Sequence, residues 1–416
     1  MKRENSKNAT KTQELLNNHV RQRFSISHKI GHRLALCLFE HNNYILKSLS
    51  GISMGGKIGT TLILYLLVLV VAFSGCAGNA DQQVVPNSST VHITDMLGRQ
   101  LTVPAEISST IGTSSPSTIL VYMLAPEKLA GWNSKQNLTQ PFMDENYSNL
   151  PVIGNWLGSK TGNYETIIEM HPDIVIESTS TEGQINEAIE RRQESLGRIP
   201  VVVIDDSILL VTQSDPTIEY TGKLLDCEAR AEKLIEFRSS ILNEINSTVK
   251  DIPEDEKVRV YYAEGPKGLM TDPSGSPHSQ LIDICGGINV ADCPLKSGTG
   301  MTQVSIEQVM DWNPEIIITS NPQFYASVYS DSLWTSVDAV RNKRVYLAPQ
   351  NPFCWIDRPQ GPHLIIGTAW TAKMLYPDLF ADTDLSGLTR EFYSEFFHYE
   401  LTDEELDMLL NPQAGT

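Results

Sequence analysis

The densest set of ligand-capable side chains lies in one proline-rich stretch, Pro349-Gln-Asn-Pro-Phe-Cys-Trp-Ile-Asp-Arg-Pro359. Phe353 and Trp355 offer ring faces there, and Arg358 offers a planar donor fork suited to carboxylate or phosphate groups. Trp156 sits in a loop between Gly154 and Gly158, where a core tryptophan is less expected. His278 closes a Gly/Pro/Ser loop over 265–278 of the kind that is usually functional. Met301 follows Gly298-Thr-Gly300, and Trp132 closes an apolar run over 129–132. Together these seven residues describe a binding site rather than a catalytic one. The sequence has no GxSxG, no GxxxxGK[ST] and no GxGxxG after a strand, and no pair of its many carboxylates is singled out by context. After residue 76 it has no CxxC and no His-x-x-x-His pair, so neither a resident metal nor a cofactor is expected. Cys285 and Cys293 are close enough in sequence for a local disulfide, with Cys354 as the other candidate partner.

The elements that must carry these residues are announced by a repeat. Residues 163–177 (NYETIIEMHPDIVIE) and 305–319 (SIEQVMDWNPEIIIT) align without a gap at an offset of 142. Each begins with an N-cap, Asn163 or Ser305, and places a glutamate two residues on, Glu165 or Glu307, where a helix start favours negative charge. Each apolar turn stops at a proline, because Pro172 and Pro314 bias His171 and Asn313 away from the right-handed helical region. β-Branched runs then follow, as in the buried strands of a parallel sheet. A helix–proline–strand unit used twice implies an α/β fold of two lobes. We expect the N-terminal lobe over 91–213, a connecting helical region over 214–256 with its long helix at 228–249, and the C-terminal lobe over 257–416. Other expected elements are a hairpin over 91–103, strands at 109–111, 129–132, 200–204, 258–262 and 344–347, and helices at 116–123, 281–285, 327–340 and 363–375.

The first 75 residues read as an upstream extension plus an export signal. Lys57 precedes the apolar run 62–73, which ends in Phe73-Ser-Gly-Cys76. That run is short for crossing about 30 Å of hydrocarbon, and small residues before a cysteine mark a lipoprotein signal, with Cys76 as the lipidated first mature residue. Met54 makes an ordinary translation start, and residues 76–90 have the composition of a flexible tether. Ten of the 32 Lys and Arg and three of the 50 Asp and Glu precede residue 76, leaving 22 basic and 47 acidic groups, a net charge of −25. That balance speaks against nucleic acid as a partner and suits a protein held by lipid at the outer face of the cytoplasmic membrane.

Several segments resemble one family. Asn155-Trp-Leu-Gly158 with Asn163-Tyr-Glu165, Cys285-Gly-Gly-Ile-Asn289, Ser305-Ile-Glu-Gln-Val309 and Trp355-Ile-Asp-Arg358 are similar to motifs of the class III (cobalamin/Fe³⁺-siderophore type) substrate-binding proteins of ABC importers, in particular the vitamin B12-binding branch. The resemblance implies two Rossmann-like lobes on a single long helix, closing by a modest tilt over a cleft, with no enzymatic activity. It implies an iron-siderophore or corrinoid as cargo, a tryptophan (Trp156) packing on it, and an ABC permease dimer docked by Glu165 and Glu307. Two departures stand out: Lys135 replaces a tyrosine of the B12 binders, and helix 363–375 lacks their second disulfide cysteine. Alternatives left open are an oxyanion (molybdate or tungstate) or haem binder on the same fold, a cluster-binding or chelatase-like enzyme using Cys285, Cys293 and Cys354, and an adhesion lipoprotein.

Overall fold

In the computed structural model both repeats fold as expected, and each supplies an interior strand of its sheet. The described residues are 89–136, 142–156, 163–181, 187–296 and 300–411. They belong to the compact unit Asn87–Thr416. The export signal, Cys76 and nearly all of the tether lie outside the described residues.

The chain enters through an antiparallel hairpin, β1 (Thr90–Thr94) and β2 (Gln100–Pro104). The first lobe is a parallel sheet of order β3-β4-β5, where β3 is Thr110–Gly112, β4 is Ile174–Thr179 and β5 is Val201–Asp205. Helix α1 (Ser115–Leu124) follows β3, α2 (Tyr164–Met170) leads into β4, and α3 (Glu187–Leu196) separates β4 from β5. Next come α4 (Asp215–Leu224) and the 22-residue α5 (Glu228–Val249), about 33 Å long at 1.5 Å per residue. The second lobe runs β6 (Arg259–Ala263), β7 (Met270–Thr271), α6 (Gln280–Ile284), β8 (Ile288–Asn289), β9 (Thr302–Gln303), α7 (Ile306–Trp312), β10 (Ile316–Thr319) and β11 (Val345–Leu347). Its parallel sheet has the order β11-β10-β6-β8, while β7 and β9 pair antiparallel. Helices α8 (Leu364–Leu375), α9 (Leu385–Phe396) and α10 (Asp403–Leu410) complete the chain.

The repeats behave alike in detail. Asn163 Oδ1 accepts from the amides of Glu165 (3.0 Å) and Thr166 (3.3 Å), and Ser305 forms a reciprocal capping box with Gln308. Pro172 and Pro314 force the preceding residue out of the helix, and both His171 (φ 49°) and Asn313 (φ 39°) take the left-handed conformation. The β-branched runs then enter the sheets fully buried, with Val175 opposite Val201 and Ile317 opposite Tyr261.

One core spans the lobes. It joins α1, α5, α8 and α9 through side chains such as Leu120, Leu234, Ile241, Ile366 and Phe392. The segment after α9 returns to the first lobe: Tyr122 donates to the Phe397 carbonyl, and the His398 ring lies 2.9 Å from the Tyr122 carbonyl. Sequence order alone therefore does not divide the packing, and α5 is a buttressed strut rather than a lone pillar. Arg238 on α5 is fully buried, bonded to Asp215 and to the Val211 carbonyl.

Three expectations need correction. The single helix at 327–340 is instead two short ones, Pro322–Val328 and Asp338–Arg341, because Trp334 between them turns inward onto Phe324 at 4.8 Å. Segment 129–132 makes only isolated bridges, Thr110 to Leu129 and Trp132 to Val152. Cys285, Cys293 and Cys354 are all free: Cys285 instead donates to the Thr368 carbonyl, and Cys354 lies 3.6 Å from Gln350.

Candidate functional site: a cleft between the lobes

Helices α2 and α7 run into the amino ends of β4 and β10, so their own N-termini lie toward the carboxyl edges of the sheets, the side where open α/β sheets take ligands. Helix α1 starts at the same edge, directly after β3. The turn between them is tight: a Cβ on Gly112 would lie 2.6 Å from the Thr118 amide, so only glycine fits. Thr118 Oγ1 donates back to the Gly112 carbonyl at 3.1 Å, and Ser114 and Ser117 close a capping box. The first turn of α1 carries no acidic residue, so its partial positive end is not neutralised from within.

Two segments complete the cleft. Buried Asn133 donates to the carbonyls of Gly112 (2.9 Å) and Gly154 (3.0 Å), which fixes the strand of chain carrying Lys135 and Gln136. Opposite stands the proline-rich segment after β11, held by the Trp355 amide donating to Pro349 O at 3.0 Å. Gly367 on α8 lets that segment approach, since a Cβ there would lie 1.7 Å from the Trp355 carbonyl oxygen. The cleft holds about 300 Å³, half open to solvent, and is lined by Ser115, Thr118, Trp132, Lys135, Phe353 and Arg358 among others. Lys135 and Arg358 are the only charged side chains lining it among the described residues.

Arg358 is held from behind. Its guanidinium reaches Glu264, Asp357 and Asp272, the last at 3.0 Å, while a third of its side chain stays exposed to the cleft at 30%. All three carboxylates are buried. Burial pushes the Glu264 carboxyl up to about 7 against the pull of Arg358. Burial also works to raise Asp272, but hydrogen bonds from Arg358, the Met301 amide and Glu264 outweigh it and hold that group low. Once it takes up a proton, Glu264 can donate toward Asp272; its buried Oε2 has no other partner. A glutamate whose folded value lies above its unfolded one stabilises the fold fully below the unfolded value, about 4.5. That contribution is lost as pH rises through about 7. We expect chemical denaturation of the wild type to lose about 3 kcal/mol across that window and Glu264→Gln to flatten the slope; equal slopes would contradict a shared proton.

The seven expected ligand residues divide into three groups. Trp132, Phe353 and Arg358 line the cleft, although both rings are largely covered. His278 and Met301 stand behind Arg358: the His278 ring bonds Asp357 at 2.8 Å, and the Met301 amide donates to Asp272 at 3.2 Å. Trp156 and Trp355 face neither group, which corrects their assignment as stacking surfaces. Trp156 is 4% exposed, with Arg192 over its ring at 5.2 Å and Tyr164 at 5.1 Å. Trp355 is fully buried against Tyr393. Sequence reasoning missed Ser115, Thr118, Asn133 and Gln350. The signal for the first two was a strand running into Gly112-Thr-Ser-Ser-Pro116, a turn that opens a helix toward a ligand edge. Glu165 and Glu307 are exposed in the first turns of α2 and α7. Burial pushes the Cys354 thiol up to about 11 and raises Cys285 further, which suits neither a metal ligand nor a nucleophile.

This cleft between two lobes on a helical strut has known counterparts. An ABC transporter solute-binding protein of Sulfurospirillum deleyianum superposes with a TM-score of 0.69 at 31% identity, covering 76% of this chain and 98% of that one. A molybdate-binding protein of Haemophilus influenzae is 24% identical over 330 residues, 73% of this chain and 90% of its own length. A vitamin B12-binding protein of Vibrio parahaemolyticus is 27% identical over 215 residues, 50% of this chain and 70% of its own. The model of the periplasmic binding protein family matches residues 113–352, which begin at the turn before α1 and end inside the proline-rich segment. With that match spanning more than half of the sequence, the chain belongs to the periplasmic binding proteins, the extracytoplasmic substrate-binding subunits of ABC importers.

Proposed function

We propose that the protein is a lipid-anchored binding subunit that delivers a compact anion, of the size and charge of molybdate, to an ABC permease dimer. One observation carries the cargo: the only charges lining the cleft among the described residues are cationic, in a chain of net charge −18. The three carboxylates behind Arg358 outnumber its single charge, so Arg358 serves the cleft as a hydrogen-bond donor while Lys135 and the N-terminus of α1 supply the attraction. About 300 Å³ is at the small end of ligand sites, and a corrinoid is several times larger. The two tryptophans expected to stack on a macrocycle are occupied elsewhere. The relative named for molybdate binding supports the same choice. A second reading, a small anionic iron chelate, is favoured by the rings of Trp132 and Phe353 at the cleft.

Thermal denaturation with a panel of ligands tests the cargo. Molybdate or tungstate at a hundred times its Kd should add about 2.7 kcal/mol of stability, with cyanocobalamin inert. Stabilisation by cyanocobalamin alone would overturn the anion. Anchoring rests on Cys76 in Phe73-Ser-Gly-Cys76. Cys76→Ser should abolish palmitate labelling and release the protein from the membrane without changing ligand affinity; persistent label would place the anchor elsewhere.

A further inference from the structure

Three carboxylates crowd one guanidinium behind the cleft wall. Glu264 follows β6, Asp272 follows β7 and Asp357 sits in the proline-rich segment, and all three reach Arg358. The group carries two more negative charges than positive ones, and none of the three carboxylate residues is more than 2% exposed. Two of them are well matched. Asp272 also accepts from the Met301 amide at 3.2 Å and the Ser276 hydroxyl at 3.1 Å. Asp357 also bonds the His278 ring at 2.8 Å. Glu264 alone of the three keeps a buried oxygen, Oε2, with no hydrogen-bond partner. A buried carboxylate short of donors is the one that a further negative charge protonates first.

We propose that Glu264 takes up a proton from solvent when an anion enters the cleft, so that cargo capture and proton uptake are one event. The inference rests on the anion reading and adds a second bound species to it. Arg358 lines the cleft and also holds Glu264. An anion at the open edge of Arg358 therefore lies one guanidinium away from a buried carboxylate, and a like charge disfavours the ionised form. By reciprocity, a proton on Glu264 strengthens anion binding by the same factor. The other groups facing Glu264 do not take that proton. Burial keeps Tyr261 and Tyr262 on β6 neutral, and it pushes the Cys354 thiol up to about 11. Asp272 is held low by its hydrogen bonds. His278 reaches Asp357 and is the rival proton site. Glu264 itself already titrates at about 7, so the uptake belongs to the range just above neutral pH.

Isothermal calorimetry counts the protons. Molybdate is titrated into the lipid-free mature protein at pH 7.5 in HEPES and in Tris, two buffers that give up a proton with different heats. Molybdate stays a dianion throughout this range and contributes none. The wild type should take up about half a proton per anion, and its affinity should be level below pH 7 and fall about threefold or more between pH 7 and pH 8.5. Glu264→Gln should lose both the buffer dependence and the pH slope, while His278→Gln should keep the proton uptake. Infrared difference spectra of the wild type check the site without any variant: a carboxylic acid carbonyl band should grow when molybdate is added. Equal binding heats in the two buffers would overturn the inference and leave the anion reading standing. Uptake that survives Glu264→Gln but vanishes in His278→Gln would overturn it too, by moving the proton to the imidazole. No molybdate binding at any pH would remove the anion reading, and this inference with it.

Discussion

Replacing Arg358 by alanine is expected to destabilise the domain by about 3 kcal/mol or more at pH 8, because it strands Glu264, Asp272 and Asp357 as buried charges. Without the pull of Arg358 the Glu264 carboxyl lies higher still, so the defect should shrink as pH falls toward about 7, one stranded charge disappearing, and level off below it. Adding Glu264→Gln to Arg358→Ala should restore part of the loss, since the two residues touch and their effects cannot add independently. Urea denaturation of the single and double variants at pH 6 and pH 8 measures all of this. A pH-independent loss, or a double variant no better than the single, would mean that the three carboxylates are not the reason for the effect.

Reversing both rim charges, Glu165→Lys with Glu307→Lys, is expected to cut uptake by at least tenfold while leaving ligand affinity in solution unchanged. The two glutamates stand at equivalent first-turn positions of α2 and α7, exposed and on the same edge of their sheets. A two-fold permease with a basic socket over each subunit would meet like charge at both points, and like-charge contact costs several kcal/mol. Each single reversal should give a partial defect. Wild-type uptake by the double variant would reduce these residues to helix-dipole partners. Lost ligand affinity would instead place them in the cleft.

Much of this architecture was readable because local and tertiary preferences agree. The caps at Asn163 and Ser305, the prolines at 172 and 314 and the runs after them each specify one conformation, and the structure adopts it twice. The 228–249 helix was equally plain, because its apolar positions recur at three and four and meet one core. What failed were inferences about where a side chain points. Trp156 and Trp355 lie in loops rich in glycine or proline, yet each ring finds a partner inside its lobe: Arg192 and Tyr164 for one, Tyr393 for the other. Loop membership says nothing of rotamer or of what covers a ring. The cleft floor was hidden for the opposite reason. Ser115, Thr118 and Asn133 are ordinary residues whose role comes only from a turn so tight that Gly112 alone fits it. Arg358 was legible as a donor fork, but its three carboxylate partners come from segments 86 to 94 residues away and from its own neighbour.

The most direct measurement is X-ray diffraction at the molybdenum absorption edge from crystals grown with molybdate. A compact-anion site between the lobes requires one strong anomalous peak in the cleft, bounded by the first turn of α1 on one side and by Lys135 and Arg358 on the others. Lys135→Ala crystals should show that peak weakened. A cleft without an anomalous peak at saturating molybdate, or a corrin ring seated against Trp132 in crystals grown with cobalamin, would contradict it.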